Sequence, residues 1–507
     1  MRETVTTYLP AVFSGILLTL SFPTFNLYPL AWISLVPFIV SLWGKEPSKA
    51  FITGLVFGVF YFFGTTYWIY HSISHYGGIP LIVSLIIVFS LCLYLSLYPG
   101  IFAVLFSMKI RSSKLPAFLL APVLWVSLEY ARSYAFTGFP WSSIGYSQYL
   151  FLYGIQSVDL TGIYGISFLV VSCNGVISDI LITRKRLTEI PLFPVRLTYI
   201  AITAFLLLFV LNMSYGYWRL HQNRPGNTVK VGIVQGNIDQ SKKWQPSYQD
   251  EVITTYKGLT RQIVTTSPHL VVWPETSLPF FFGYDSVRSQ DLIDFQRQLN
   301  TYLLFGTVTV KNSPAKETPP QLLNSAVLLD RNGNITYSYY KIHLVPFGEY
   351  VPLKSIFFFV EKIVSGAGEF VPGDSFVKAQ TPFGTFGTFI CYEIIFPGLV
   401  RKFYSKSGDF IVTITNDAWF GDTSGPYQHF SMAVFRAIEN RKPLVRVANT
   451  GVSGFMDSNG RILKKTPLFT KGLETEEIVL DPSKTIYTRF GDIFSYLCIA
   501  TALIVLI

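Results

Sequence analysis

The chain has 507 residues, half of them hydrophobic and only 14% charged, against about 25% charged in a typical soluble domain. That composition excludes a wholly water-soluble protein and requires a lipid-embedded part. The net charge of +10 does not argue for a nucleic-acid partner, because much of the basic excess falls in short segments between apolar runs, as it does in cytoplasmic loops.

Apolar runs dominate the first part of the chain: Tyr8–Ser21, Tyr28–Trp43, Phe51–Tyr70, Ile79–Met108, Pro116–Tyr130, Gly162–Ile182 and Leu197–Tyr215, with a last run at Ile493–Ile507. A helix needs about 20 residues to cross the hydrocarbon core. The first, second, fifth and last runs are short by that measure and call for bilayer thinning or aromatic flanks. The first run is counted as a span rather than a signal peptide, because Phe22-Pro23-Thr24-Phe25 follows it and no small-residue cleavage site does. About eight transmembrane helices are expected.

The connecting segments set an orientation. Lys45 and Lys49 follow run two, Lys109, Arg111 and Lys114 follow run four, and Arg184, Lys185 and Arg186 follow run six. With Arg2, this alternation places both termini in the cytoplasm and the long segment after run seven outside. The expected division is a transmembrane bundle over 1–217, an extracytoplasmic α/β domain over 218–490 and a C-terminal transmembrane helix over 491–507. Glu129 and Arg132 at the edge of run five are expected to pair with each other.

Between Tyr217 and Asp492 the apolar runs shorten to strand length. Lys230–Gln235, Leu270–Trp273, Tyr302–Val308, Ser325–Leu329, Thr385–Ile390 and Phe410–Ile414 read as buried strands. Helical patterns such as Gln249–Ser267 and Gln428–Asn440 separate several of them, which indicates an α/β domain.

Three segments of this domain carry reactive groups. Val271-Val272-Trp273-Pro274-Glu275 ends an apolar strand on a carboxylate, at the end of the strand where α/β sites gather. Lys341 opens a segment with two prolines and a glycine, Lys341-Ile342-His343-Leu344-Val345-Pro346-Phe347-Gly348-Glu349-Tyr350-Val351-Pro352, which must be a shaped loop. Cys391 closes an apolar strand and precedes Tyr392-Glu393. It is the one cysteine outside the membrane-like runs, since Cys92, Cys173 and Cys498 lie in or near them, and no CxxC pair exists. Each piece alone has an ordinary reading: a solvated loop glutamate, a surface lysine, an inert buried thiol. His269, His343 and His429 are dispersed without metal-ligand spacing, and no phosphate-binding glycine loop occurs.

In order, Glu275, Lys341, Cys391 and then Asn416-Asp417-Ala418-Trp419-Phe420-Gly421 resemble the nitrilase superfamily. With the membrane runs, Gly138-Phe139-Pro140-Trp141, Gln235-Gly236-Asn237 and Trp244, the whole chain resembles the bacterial apolipoprotein N-acyltransferases. The resemblance implies an αββα sandwich and a Glu275–Lys341–Cys391 triad. It also implies supporting or substrate-binding roles for Glu349, Tyr392, Glu393, Trp244, Trp419, Trp141 and Gly138. The implied reaction moves a fatty acyl chain from a phospholipid to the α-amine of a diacylglyceryl-cysteine at an apolipoprotein N-terminus. It proceeds through a cysteine thioester with ping-pong kinetics, in a monomer of the inner membrane, without metal or cofactor.

The residue chemistry suits that reaction. A covalent intermediate splits a hard acyl transfer into two easier steps. Glu275 can act as general base, while cationic Lys341 favours the thiolate. Lys341 and a backbone N–H near Cys391 can serve as oxyanion donors, worth roughly 3–4 kcal/mol each. Glu349 and Glu393 read as groups that orient Lys341 or share proton transfer, or else as members of a structural ion pair. Trp141 reads as a lipid contact or an interfacial anchor. The aromatic clusters Phe280-Phe281-Phe282-Gly283 and Phe357-Phe358-Phe359-Val360 read as bilayer contacts, covers for the site, or core. The competing functions are a membrane-tethered nitrilase-type amidase, against which a bundle of spans argues because a tether needs one, and a transporter, against which the few ionisable residues in the spans argue.

Overall fold

The computed structural model describes residues 2–112, 115–185, 195–222, 226–311, 321–351 and 370–507. Phe357-Phe358-Phe359-Val360 lie outside these described residues. The chain divides into two compact units, one of Met1–Tyr70, Pro80–Gln222 and Phe490–Ile507, the other of His71–Ile79 and Asn223–Arg489.

The first unit is helical. Among the described residues, four helices are long and apolar enough to cross a membrane: Pro47–Thr66, Leu81–Ile110, Ile163–Thr183 and Arg196–Leu220. At 1.5 Å per residue, about 20 residues match a hydrocarbon core of about 30 Å. The count of about eight is thus met by four on length and composition. Thr7–Leu20, Tyr28–Leu42 and Ile493–Leu506 form shorter apolar helices. The second of these is broken into Tyr28–Leu30, Ala31–Ser34 and Val36–Leu42, with Pro29 and Pro37 supplying the interruptions. The Ala117–Tyr134 helix carries buried Glu129 and Arg132.

Those two charges do not bond each other as the sequence led us to expect. Arg132 Nη1 donates to the carbonyls of Phe139 (3.0 Å) and Trp141 (2.5 Å), and Glu129 Oε1 accepts from the Ile144 N–H (2.8 Å) and Trp125 Nε1 (3.2 Å). Both hold the turn that follows their helix, whose backbone donors and acceptors would otherwise be buried without partners. Gly138 stands at φ +79° in that turn. Trp141 is fully buried, its ring 4.7 Å from that of Trp68, so it is a packed core residue of this unit rather than a lipid-facing anchor.

The second unit is built on two six-stranded sheets. The strands are Thr228–Gln235 (β1), Leu270–Val272 (β2), Tyr302–Lys311 (β3), Gln321–Leu329 (β4), Ile335–Tyr340 (β5), Ala379–Thr381 (β6), Gly384–Ile390 (β7), Phe410–Thr415 (β8), Leu444–Ala448 (β9), Gly454–Met456 (β10), Ile462–Lys465 (β11) and Gly472–Val479 (β12). The sheet orders are β12-β1-β2-β3-β4-β5 and β11-β10-β9-β8-β7-β6. Helices Pro246–Ile263 and Ser286–Arg297 cover the first sheet, burying Val252, Tyr256, Leu292 and Phe295 against Val234, Val271, Trp273 and Phe305. Helices Pro397–Tyr404 and Gly425–Asn440 cover the second. Phe280 and Phe282 belong to the core under the first sheet, so that cluster packs rather than meets lipid. All six expected strands are present. Strands β6, β10 and β11, of 3, 3 and 4 residues, are too short to stand out in a sequence pattern.

Each sheet has a parallel centre, β1-β2-β3 in one and β7-β8-β9 in the other. Parallel strands deliver all their carboxyl ends to one rim, where backbone ladders stop and side chains are free to converge.

Candidate active site

That rim gathers the reactive residues. β2 runs into Trp273-Pro274-Glu275, β7 into Cys391 and β8 into Asn416. Beyond Pro274 the chain turns sharply against β3, where the Gly306 N–H donates to the Pro274 carbonyl at 3.2 Å. A Cβ at Gly306 would stand 2.5 Å from that carbonyl oxygen and 2.6 Å from Glu275 Cα. Only glycine lets the Glu275 turn lie this close.

Glu275, Lys341 and Cys391 are all buried, with relative exposures of 6%, 1% and 7%. Lys341 Nζ lies 3.6 Å from Glu275 Oε1 and donates to Glu349 Oε1 at 2.9 Å. Glu275 is oriented from both sides: Oε1 accepts from Asn324 Nδ2 at 2.8 Å and Oε2 from the Asn416 N–H at 2.9 Å. The same Asn324 Nδ2 donates to Glu349 Oε1 at 2.8 Å. One amide on β4 thus spaces two carboxylates around one ammonium.

Cys391 sits on a tight turn where β7 passes into a 3-10 helix, and its φ is +53°. A left-handed non-glycine residue costs of order 1–3 kcal/mol and persists only where its surroundings impose it. Here the imposition is visible. Glu393 Oε2 accepts from the Ile390 N–H (2.8 Å), and its Oε1 accepts from Tyr339 Oη (2.7 Å) and the N–H groups of Ile342 (2.8 Å) and His343 (3.1 Å). Glu393 therefore pins the backbone before the cysteine to the backbone after the lysine. Burial pushes its carboxyl up to about 7, against the pull of those donors and of Lys341.

The ionisation pattern follows from burial and charge. Burial disfavours the Lys341 ammonium, but Glu349, Glu275 and Cys391 outweigh it and hold the group above its ordinary value. The Cys391 thiol is pushed up by burial and by Glu275, and Lys341 only partly offsets them. The resting sulfur is therefore held toward the neutral thiol, even with the lysine close by. Attack requires proton transfer to a base, and the Glu275 carboxylate is close enough to act on the thiol electrostatically.

Other residues of the sequence reading fall around this centre. Tyr392 packs edge-on against Phe396, ring centroids 5.1 Å apart. Trp244 is half-buried against Phe281, next to a small apolar cluster of Val308, Leu322, Leu344 and Phe370. Trp419 lies in the turn after Asn416. Its carbonyl accepts from Ser72 Oγ (2.6 Å), its ring meets Tyr76 (4.6 Å), and Tyr76 Oη donates to the Ala418 carbonyl (3.2 Å). Trp141 and Gly138 belong to the first unit.

Sequence reasoning missed several buried polar residues. Asn324 was invisible because it interrupts an otherwise apolar strand with no reactive neighbour. Lys243 was passed over beside Trp244. It is fully buried, donating to Thr276 Oγ1 (2.8 Å) and the Glu275 carbonyl (3.4 Å), and burial lowers its ammonium to about 7 although Glu275 opposes this. Asn449 Nδ2 joins Asn416 Oδ1 (3.2 Å) to the Ile238 carbonyl (2.8 Å), tying the ends of β8, β9 and the loop after β1. Among the described residues no cluster of three or more His, Cys, Asp or Glu could hold a metal ion.

Comparisons with known proteins match two separate segments of the chain. Residues 14–176 match the model of the apolipoprotein N-acyltransferase N-terminal domain, and residues 230–486 match that of carbon-nitrogen hydrolase. The chain is 42% identical over 502 residues to the apolipoprotein N-acyltransferase of Geobacter metallireducens, covering 98% of this chain and 94% of that one. It is 33% identical to the enzyme of the same name from Haemophilus influenzae, over 97% and 92% of the two chains. With that of Pasteurella multocida the identity is 32%, over 98% and 94%.

Proposed function

Because this chain belongs to the apolipoprotein N-acyltransferase family, we propose that it N-acylates lipoproteins through a fatty acyl thioester on Cys391. The observation that carries the mechanism is the convergence of buried Glu275, Lys341 and Cys391 at the strand ends, with Lys341 Nζ 3.6 Å from Glu275 Oε1.

In the first half-reaction Glu275 takes the Sγ proton as the sulfur adds to the ester carbonyl carbon of a phospholipid. The carbonyl π pair moves onto oxygen, where Lys341 and a backbone N–H beside Cys391 hold the charge. Collapse breaks the ester C–O bond, Glu275 returns the proton to the glycerol oxygen, and a lysophospholipid leaves. In the second half-reaction the α-amine of a diacylglyceryl-cysteine adds to the thioester. Such an amine has a pKa of about 7.7–8.0, so roughly a tenth or more of it is neutral near pH 7. Glu275 accepts the proton that the amine loses, the C–S bond breaks, and the sulfur recovers a proton.

Glu349 and Asn324 keep Lys341 charged and Glu275 aimed, and Glu393 holds the nucleophile turn. Trp244, Tyr392 and Trp419 are assigned to substrate contact around the triad, and Trp141 and Gly138 to the shaping of the helical unit. We assign residues 1–217 and 491–507 to about eight membrane crossings. The four long helices are joined in this by Thr7–Leu20, Tyr28–Leu42, Ala117–Tyr134 and Ile493–Leu506, the short ones accommodated by local thinning. The protein is placed in the bacterial inner membrane as a monomer, with both termini cytoplasmic and residues 218–490 on the periplasmic side. A membrane site suits two lipid-anchored substrates, because exposing a sixteen-carbon chain to water costs on the order of 10 kcal/mol.

The test is a pulse and chase. Purified protein is incubated with a phospholipid carrying a labelled acyl chain, and a hydroxylamine-sensitive label is expected on Cys391. A diacylglyceryl peptide is then added, and the label is expected to move to its amine. Release only as free fatty acid would make the protein a hydrolase, and intact protein that takes up no label would defeat the acyl-enzyme.

A further inference from the structure

Behind the nucleophile lies a buried polar cluster that the reaction above does not use. His429, in the helix Gly425–Asn440, and Asp417 and Arg446, at the ends of β8 and within β9, are all fully buried. His429 Nε2 lies 3.1 Å from the Cys391 carbonyl oxygen. Its Nδ1 lies 3.0 Å from Arg446 Nη2 and 3.0 Å from Asp417 Oδ1. Asp417 Oδ2 accepts from Arg446 Nη2 at 2.7 Å, and Asp417 Oδ1 accepts from Thr415 Oγ1 at 2.8 Å.

The donor inventory fixes the hydrogen on one ring nitrogen. A carbonyl oxygen only accepts, so Nε2 must carry a hydrogen. Burial and the Arg446 charge lower the His429 pKa against the opposing pull of Asp417, and its Nδ1 is held between Arg446 Nη2 and Asp417 Oδ1. Asp417 would be raised by burial, but Arg446 and His429 hold it near 2. It stays ionised and keeps the guanidinium in place. The cluster leaves the imidazole one orientation, with its N–H aimed at the Cys391 carbonyl.

That carbonyl shares a planar trans peptide with the Tyr392 N–H, and in such a unit C=O and N–H point in opposite directions. Whatever fixes one fixes the other. The turn at Cys391 needs fixing, because its φ is +53°.

We propose that His429, locked by Arg446 and Asp417, is a positioning residue that aims the Tyr392 N–H at the oxyanion formed when Cys391 attacks an acyl carbonyl. The proposal rests on the acyl-transfer reading and adds to it the group that orients the backbone donor. A hydrogen bond into the carbonyl also polarises the peptide and strengthens the N–H as a donor.

The test compares three substitutions in the full-length protein. His429→Gln puts an amide N–H close to the Nε2 position. His429→Met fills a similar volume with no donor, and His429→Asn is polar but too short to reach the carbonyl. Two rates are measured: acylation of Cys391 by a phospholipid with a labelled acyl chain, and alkylation of Cys391 by iodoacetamide, with Cys391→Ala as background. Alkylation needs the sulfur but no oxyanion donor.

Loss of one oxyanion donor costs about 10²–10³ in rate, so a misdirected donor is expected to slow acylation roughly 30-fold or more in H429M and H429N. Alkylation should stay within about threefold of wild type, and H429Q should keep acylation within about fivefold. The proposal is overturned if H429M and H429N acylate at the wild-type rate, if H429Q falls as far as they do, or if alkylation falls in step with acylation. If one donor-lacking variant fails to fold, the other decides. A wild-type protein that alkylates at Cys391 but never acylates there would remove the acyl-transfer reading itself, before any variant is compared.

Discussion

Lys341 gives its direct hydrogen bond to Glu349, at 2.9 Å, and stands farther, at 3.6 Å, from Glu275. The ammonium is thus neutralised mainly by Glu349, which in the proposed mechanism leaves Glu275 free to take up a proton. Glu349→Gln removes this division of labour: Lys341 then has Glu275 as its principal counter-charge and draws on its basicity. Acyl-enzyme formation is expected to slow by about 10²-fold, the lower end of what a positioned base contributes. Breaking a buried ion pair on one side costs about 3–5 kcal/mol, so the midpoint of thermal unfolding should fall as well. Unchanged burst kinetics in E349Q would show that Glu349 does not serve the base.

Asn324 makes a different prediction, because it serves both carboxylates with one nitrogen. Asn324→Asp replaces a shared donor with a third buried acid beside Glu275 and Glu349. Like charges this close cannot all ionise, so the active form should be displaced to higher pH. The acid limb of the pH–rate profile is expected to move up by about a unit, with a loss of roughly 10²-fold at neutral pH. Asn324→Leu, which removes the donor without adding a charge, should move the limb the same way but less.

Gly306→Ala tests the backbone. The new Cβ would meet Pro274 and Glu275 backbone atoms at 2.5–2.6 Å, and neither is the flexible end of a side chain. The Glu275 turn must move away from β3, and misplacing a catalytic group by about 1 Å costs about 10²-fold. Single-turnover acylation should reveal that loss, while alkylation of Cys391 by iodoacetamide, which draws less on the placed base, should change less.

Lys243 has a signature in stability. Its ammonium is lowered from 10.5 to about 7 in the folded protein. Between those values the unfolded chain binds the proton and the folded one does not. Stability from this group therefore rises with pH across about 7 to 10.5. Below about 7 both states are protonated and its contribution is flat and least favourable. Lys243→Met lacks the effect, so the melting temperature of wild type minus that of K243M should grow from pH 7 to pH 10. A difference independent of pH would mean that the folded chain keeps Lys243 protonated as the unfolded chain does.

The legibility of this site in the sequence followed from chain geometry. Glu275 and Cys391 each end an apolar run, and Lys341 opens a loop dense in proline and glycine. Those are local patterns, and they mark the places where parallel strands surrender their side chains. Asn324, Asp417, His429 and Arg446 carry no such mark. Asn324 and Arg446 lie inside apolar strands and His429 inside a helix whose face is set by its neighbours, so their roles arise only when β4, β8 and β9 are brought together. The helical unit shows the same division. Its apolar runs were plain, but Glu129 and Arg132 looked like a pair three residues apart, and the decisive partners were turn carbonyls and an N–H that no side-chain pattern encodes. The lysine beside Cys391 can be inferred from a motif, whereas the burial that opposes its pull toward the thiolate cannot.

The segment His71–Ile79 belongs to the same compact unit as residues 223–489, although Pro47–Thr66 and Leu81–Ile110 flank it in the chain. Its Ser72 and Tyr76 cap the carbonyls of Ala418 and Trp419, one turn beyond the Asn416 N–H that orients Glu275. Cutting the chain once, before residue 223, would therefore strip a wall from the turn next to Glu275. Anyone seeking a lipid-free version for crystallisation or inhibitor screening has two stretches of polypeptide to transplant, and the shorter one has to be grafted back in or supplied as a peptide.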